Sequence, residues 1–358
     1  MFNIKEEGFK HLDRVINLCA EYGIYTILDL HALPGYQSQE WHSDNPNHKA
    51  FLWQHKHFQD WTVHLWEVFT ERYKNSSWLA GYNPINEPSD LGGQVVGPFC
   101  RRLYDTIRGI DPDHIIFMDG NLYSRDFTPF GEPWPGVVYT IHHYPAPGHL
   151  DGGPYPGVTA GRYYDEEVLK TSFAERSEYQ RERGMPIWIG EFGPVYTGNP
   201  VLDAGRDQLL KDQLKPYEAA EASWAIWTYK DIGVQGMVYT PDESAWRTRL
   251  KTYLAKKDRL GSDRWGGHDV QIRHLIEPLE RTLAEEFPGY DPLPFGANRQ
   301  VARLVRNILL SEPLLEEFAN CFAGLNEGEL DTLLQSFLFK NCVVRQPLCQ
   351  TLSTAGKK

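Results

Sequence analysis

Apolar positions along the first two thirds of the chain alternate between a helical period and a strand period. Residues 5–22 place Phe9, Leu12, Val15, Ile16 and Cys19 on one face of a helical repeat, and Gly23 marks its stop. Ile24 to His31 (IYTILDLH) is instead a β-rich run. A polar loop, ALPGYQSQEWHSDNPNHK, leads into a helical pattern from about 50 to 74. Then come a strand WLAGYNPINE, a helix over 95–109, a strand over 114–120, a Pro/Gly loop and a strand over 137–144. A helix over 162–183, a strand PIWIGEF, a helix over 202–221 and a strand SWAIWTY (223–229) complete the series. Strand and helix in alternation predict an α/β fold, a parallel sheet with helices outside it.

The series holds six strands and opens on a helix. A TIM-type (β/α) barrel needs two more, so the expectation is an N-terminally incomplete barrel made of strands three to eight. Either the chain is a fragment of a longer reading frame or it is a short paralogue with an unpaired sheet edge. Beyond about Ser244 the alternation ends, and segments 270–287, 297–320 and 328–340 read as helices. The expected division is a barrel domain over 1–290 and a helical extension over 291–358, in which Thr351 to Lys358 is a frayed tail.

The net charge of −12 argues against nucleic acid or an anionic membrane surface as the main partner. No run of eighteen apolar residues is present to span a bilayer. MFNIKEEGFKHLDRVINL reads as a charged amphipathic helix and not as a signal peptide. That makes the cytoplasm the default location, with secretion open if the true N-terminus lies upstream. The five cysteines are scattered and read as reduced thiols, with a Cys342–Cys349 pair as the alternative.

Two glutamates carry the chemistry. Glu87 closes LAGYNPINE, with Asn86 before it and Pro88 after it, and Glu191 closes MPIWIGEFGP. Paired carboxylates across a sugar ring break glycosidic bonds, one protonating the leaving oxygen while the other attacks the anomeric carbon or activates a water. Both lie at the carboxyl end of a predicted strand, where a barrel enzyme builds its site. Strand alternation selects their neighbours. In VVYTIHHY, His142 and Tyr144 share a face with Val138 and Thr140, while the bulky Tyr139, Ile141 and His143 suit the helix layer. Trp227 shares its parity with the small Ser223 and Ala225, and Asp29 with His31.

Asp29-Leu30-His31, Asn86-Glu87-Pro88, His142-His143-Tyr144, Gly190-Glu191-Phe192-Gly193 and Trp227, in this order over roughly residues 5–245, resemble glycoside hydrolase family 5, the cellulase-like retaining β-glycosidases. The resemblance implies Glu87 as acid/base and Glu191 as nucleophile. It implies that Asn86 holds the sugar 2-hydroxyl, that Tyr144 hydrogen-bonds the nucleophile, that His31 and His142 line the subsite, and that Trp227 forms its floor. The loop DLHALPGYQSQEWHSDN is loosely similar to that of fungal exo-β-1,3-glucanases. The expected substrate is a β-glucan or related β-linked oligosaccharide, with no cofactor and no metal. The family's strand arginine that braces the nucleophile has no match here, which leaves a truncated, weakly active or inactive carbohydrate-binding barrel as the alternative.

Retention requires the two carboxyl carbons roughly 5 Å apart. It also suggests a raised pKa for Glu87 and a low one for Glu191. Thirteen histidines raise the thought of a metal-assisted hydrolase, but His42, His48, His55, His57 and His64 match no ligand spacing and read as solvated. His142, His143 and His149 make a poor triad, because adjacent strand residues face opposite ways. Trp41 and Trp53 read as packing groups, and Trp134 as either packing or a sugar platform at the barrel mouth.

Overall fold

The computed structural model describes residues 4–146, 148–149, 153–159, 161–262, 269–293 and 295–355. It divides into two compact units, Met1–His142 with Arg176–Trp188, and His143–Glu175 with Ile189–Lys358.

In the first unit, helix α1 (Glu6–Glu21) precedes strand β1 (Thr26–Asp29), helix α2 (Lys56–Tyr73), strand β2 (Leu79–Asn83), helix α3 (Val96–Ile110), strand β3 (Ile115–Asp119), a short turn α4 (Asn121–Ser124) and strand β4 (Val137–His142). The four strands pair in parallel in chain order, with Asp29 opposite Asn83, Tyr82 opposite Ile116, and Asp119 opposite Thr140. A parallel pair needs a crossover, and α2 and α3 provide it. Trp66 of α2 is fully buried, edge-on to Tyr82 at 5.7 Å, and its indole N–H donates to the Pro84 carbonyl at 3.0 Å. Burying an aromatic of this size removes on the order of 200 Å² from water, worth up to about 5 kcal/mol. On β4, Tyr139 packs against Phe127, Phe130 and Tyr179, the helix-layer side that alternation predicts.

The second unit holds a two-stranded hairpin, β5 (Gly157–Thr159) and β6 (Arg162–Tyr164), followed by helix α5 (Glu166–Arg176). The helix expected over 162–183 is therefore shorter. Tyr163 and Tyr164 spend their β propensity in the hairpin, and the second helix, α6 (Glu178–Glu182), comes after a break at Ser177 and belongs to the first unit. Strand β7 (Trp188–Phe192) is followed by helix α7 (Pro200–Ala219) and strand β8 (Ser223–Ile226). Asn199 caps α7, its side chain accepting from the Val201 and Leu202 amides. Phe192 packs edge-on against Tyr217 of α7 and Trp224 of β8.

Two very short strands, β9 (Lys230–Asp231) and β10 (Val238–Tyr239), precede helices α8 (Ala245–Arg249), α9 (Lys251–Leu260), α10 (Arg273–Glu286), α11 (Ala297–Arg303), α12 (Glu312–Asn320) and α13 (Glu327–Leu334). The segment after 291 is not purely helical. Val343–Val344 forms strand β11, antiparallel to β10, and helix α14 (Gln346–Ala355) lies against α7. Residues 351–355 are accordingly not frayed. Thr351 and Leu352 are buried, and the Thr351 hydroxyl donates to Asp207 of α7 at 2.6 Å. No helix of the described residues is long and apolar enough to cross a membrane.

Candidate active site

Glu87 sits just past β2 at the head of a sharp turn, with φ of 44°. A left-handed glutamate costs about 1–2 kcal/mol. The turn is held by its neighbours. The Glu87 amide donates to Asp119 Oδ2 at 2.9 Å, and Asn83 Nδ2 donates to Asp119 Oδ1 at 3.1 Å. Asp119, at the end of β3, is thus an acceptor that the sequence reading missed; the signal was an acidic residue closing an apolar strand, MDG, just as Glu87 and Glu191 close theirs. Its burial pushes its carboxyl above the ordinary range.

The Glu87 carboxylate is buried between two imidazoles. His142 Nδ1 lies 2.7 Å from Oε1, and His42 Nε2 lies 3.2 Å from Oε2. His142 also reaches Asp119 Oδ2 with its other nitrogen, at 3.5 Å. His42 therefore does not belong with the solvated histidines. The loop carrying it folds inward because Ser43 and Asn45 bond the Ser38 carbonyl at 3.1 and 2.7 Å, and Asp44 takes a left-handed turn. His55, His57 and His64 are exposed as expected.

The raised pKa expected for Glu87 is also overturned. Burial alone pushes the carboxyl up, but the hydrogen bonds and positive charge of His142 and His42 outweigh it and hold Glu87 well below the usual range.

Asn86 and His31 lie beside this cluster. Asn86 Nδ2 is 3.4 Å from His31 Nε2, and His31 Nδ1 is 3.0 Å from Asp29 Oδ2. Gln37 ties the two together, donating to the carbonyls of His31 at 2.7 Å and Asn86 at 3.0 Å. Trp53 is a packing group, with its N–H on the Gln37 carbonyl at 2.9 Å. Trp134 packs against Tyr104 and Phe130 at 5.3 and 5.7 Å, on the helix side of the strands. Trp41 is partly buried, edge-on to His42.

In the second unit, the Tyr144 hydroxyl donates to Glu191 Oε2 at 3.0 Å. The His143 amide bonds the Glu191 carbonyl at 2.9 Å, which fixes the strand end beneath the carboxylate. The His143 ring turns the other way, 2.6 Å from the Tyr217 hydroxyl, and His149 reaches Gln213 at 3.0 Å, so the three histidines do not converge. Trp227 follows β8, and its amide bonds the Phe192 carbonyl at 2.8 Å. A Cβ at Gly193 would lie 2.6 Å from the Trp227 carbonyl, so only glycine lets these two strand ends close together.

The model of cellulase, glycosyl hydrolase family 5, matches residues 1–233. This chain belongs to that family. A β-xylosidase of Phanerodontia chrysosporium is 41% identical to it over 98% of this chain and 76% of its own length. A probable glucan 1,3-β-glucosidase A of Aspergillus fumigatus is 26% identical, over 63% of this chain and 62% of its own. Among solved structures, a glycoside hydrolase at 25% identity covers 64% of this chain and 72% of its own, with a TM-score of 0.53. The endoglucanase Cel5A of Thermotoga maritima, at 20% identity and the same coverages, has a TM-score of 0.51 and speaks for the fold alone. These findings make the chain a cellulase-like glycoside hydrolase of family 5.

Proposed function

We propose that this family 5 chain hydrolyses β-glycosidic bonds with retention, Glu87 serving as acid/base and Glu191 as nucleophile. The polar partners of the two carboxylates carry the reading. Glu87 is bonded by two imidazoles that can lend and take a proton, and Glu191 accepts from a tyrosine hydroxyl, a partner that suits a charged nucleophile. In the first step Glu191 attacks the anomeric carbon as Glu87 relays to the leaving oxygen a proton lent by its imidazole partners. In the second, Glu87 takes a proton from water as the glycosyl-enzyme opens. His31, Asn86 and His142 line the subsite of the reacting sugar, and Trp227 forms its floor.

The sugar is β-configured, and the 41% identical β-xylosidase makes an aryl β-xyloside the first substrate to test, beside an aryl β-glucoside. A 2-fluoro β-glycoside with a good leaving group should label Glu191, read by mass spectrometry of the peptide around it. Azide should restore turnover of Glu191→Ala with an inverted glycosyl azide as product. Labelling of another residue, or the inverted azide from Glu87→Ala, would reverse or dismiss the assignment.

A further inference from the structure

Residues 343–355 return to the part of the second unit that carries Trp227. Val344 pairs with Val238 and Val343 with Tyr239, and the Arg345 amide continues the ladder onto the Met237 carbonyl at 2.8 Å. Met237 and Val238 in turn donate to the carbonyls of Thr228 and Tyr229, each at 2.9 Å. Thr228 is the residue next to Trp227. A ladder of backbone bonds therefore leads from the last strand to the neighbour of the candidate sugar floor.

The side chain of Arg345 closes this arrangement. Its Nε donates to the Gly236 carbonyl at 3.1 Å and its Nη2 to the Gly233 carbonyl at 2.7 Å. Its guanidinium lies 3.8 Å from the ring centre of Tyr196 and 3.9 Å from that of Tyr239. Tyr196 comes a few residues after Glu191, and its amide bonds the Val234 carbonyl at 2.7 Å. One planar cation thus ties the loop after β8 to the loop after β7.

We propose that Arg345 is a positioning residue for sugar binding, holding the loop beyond Trp227 and, through Tyr196, the loop beyond Glu191. The segment does not need the guanidinium to dock, since the β11 ladder, the buried Leu348 and Leu352, and the Thr351–Asp207 bond already secure it. Every side-chain contact named for Arg345 goes to those two loops or to β10. Lysine cannot substitute, because a point charge lacks both the stacking plane and the two-pronged donor geometry. The effect falls mainly on binding: a floor ring touches the sugar in ground and transition states alike, so loosening it raises KM more than it lowers kcat.

The kinetic part of this proposal rests on the glycosidase reading, so its test has a second arm. Arg345→Met and Arg345→Lys in the full chain are compared with the parent by steady-state kinetics on an aryl β-glycoside and by peptide-resolved hydrogen exchange. Arg345→Met should exchange faster in segments 194–198 and 228–237 alone, with KM raised roughly five- to tenfold and kcat within about twofold. Arg345→Lys should resemble it. Unchanged exchange in both segments overturns the proposal, as does a fall in kcat at constant KM, the mark of a smaller folded fraction. If the parent cleaves no aryl glycoside, the glycosidase reading fails while the exchange arm still decides the clamp.

Discussion

His42 Nε2 stands 3.2 Å from Glu87 Oε2, the oxygen opposite the one that His142 engages at 2.7 Å. A loop histidine thereby shares the proposed acid/base carboxylate with a strand histidine. If Glu87 acts as proposed, groups this closely bonded titrate together, and a pH profile of activity reports on the cluster as a whole. Asp119 and Arg125 act on the same cluster with opposite charges.

His42→Leu removes one donor to the Glu87 carboxylate. The carboxylate becomes a stronger base, the cluster keeps its proton to higher pH, and the alkaline limb of kcat/KM moves upward. One hydrogen bond of about 1 kcal/mol corresponds to a shift of roughly half to one pH unit. His42→Gln, which retains a neutral donor, should move the limb less. A pH profile of the two variants against the parent checks this, and an acid-ward shift in His42→Leu would count against it.

Glu87→Ala should separate substrates by leaving group. A dinitrophenyl glycoside needs little protonation and should form the glycosyl-enzyme at close to the parental rate. An alkyl glycoside should lose about 10²- to 10⁴-fold, the usual range for general acid catalysis. Equal losses on both would mean that Glu87 does not protonate the leaving group.

Tyr144→Phe deletes the hydroxyl that donates to Glu191 Oε2 at 3.0 Å. A hydrogen bond to a charged acceptor is worth about 1.5–3 kcal/mol, so the rate of labelling by a 2-fluoro glycoside should fall roughly ten- to a hundredfold. The variant's thermal midpoint should stay near that of the parent. A labelling rate within about twofold of parental would show that the bond does not serve nucleophilic attack.

Asp111 tests the fold apart from the site. Its buried carboxylate accepts from the Tyr82 hydroxyl at 2.7 Å and lies 2.6 Å from His114 Nδ1. Burial works to raise its pKa, but the bonds from Tyr82 and from the His114 and Asp113 amides prevail and lower it. A carboxyl depressed in the folded state contributes stability above its unfolded pKa of about 3.9 and loses it as pH falls through the folded value. Asp111→Asn should therefore cost about 1–3 kcal/mol at pH 7 and progressively less below about pH 4. Denaturant melts at pH 7 and pH 3 make the comparison.

The end of β4 was legible because it obeys simple alternation. Tyr139 and His143 face the helices, and His142 and Tyr144 face the carboxylates. His42 was not legible, since its direction depends on a left-handed Asp44 and on side-chain bonds to the Ser38 carbonyl, neither of which leaves a periodic trace. Asp119 closes its strand as the two glutamates do, but no partner lies near it in sequence to mark it as an acceptor. Strands of two residues, such as β9 to β11, are too short to show a period, so the tail read as helix alone.

The Arg345 contacts join residues more than a hundred positions apart in sequence. Chains emerge from the ribosome amino end first, and the strands that carry both glutamates are complete long before Arg345 appears. The loops beside the proposed sugar floor therefore settle only once residue 345 has emerged. A chain cut short by a late stop codon or a nick near residue 340 would keep its two carboxylates yet present them beside unsecured loops. Such a product would pass for a folded protein in spectroscopy while failing to grip its substrate.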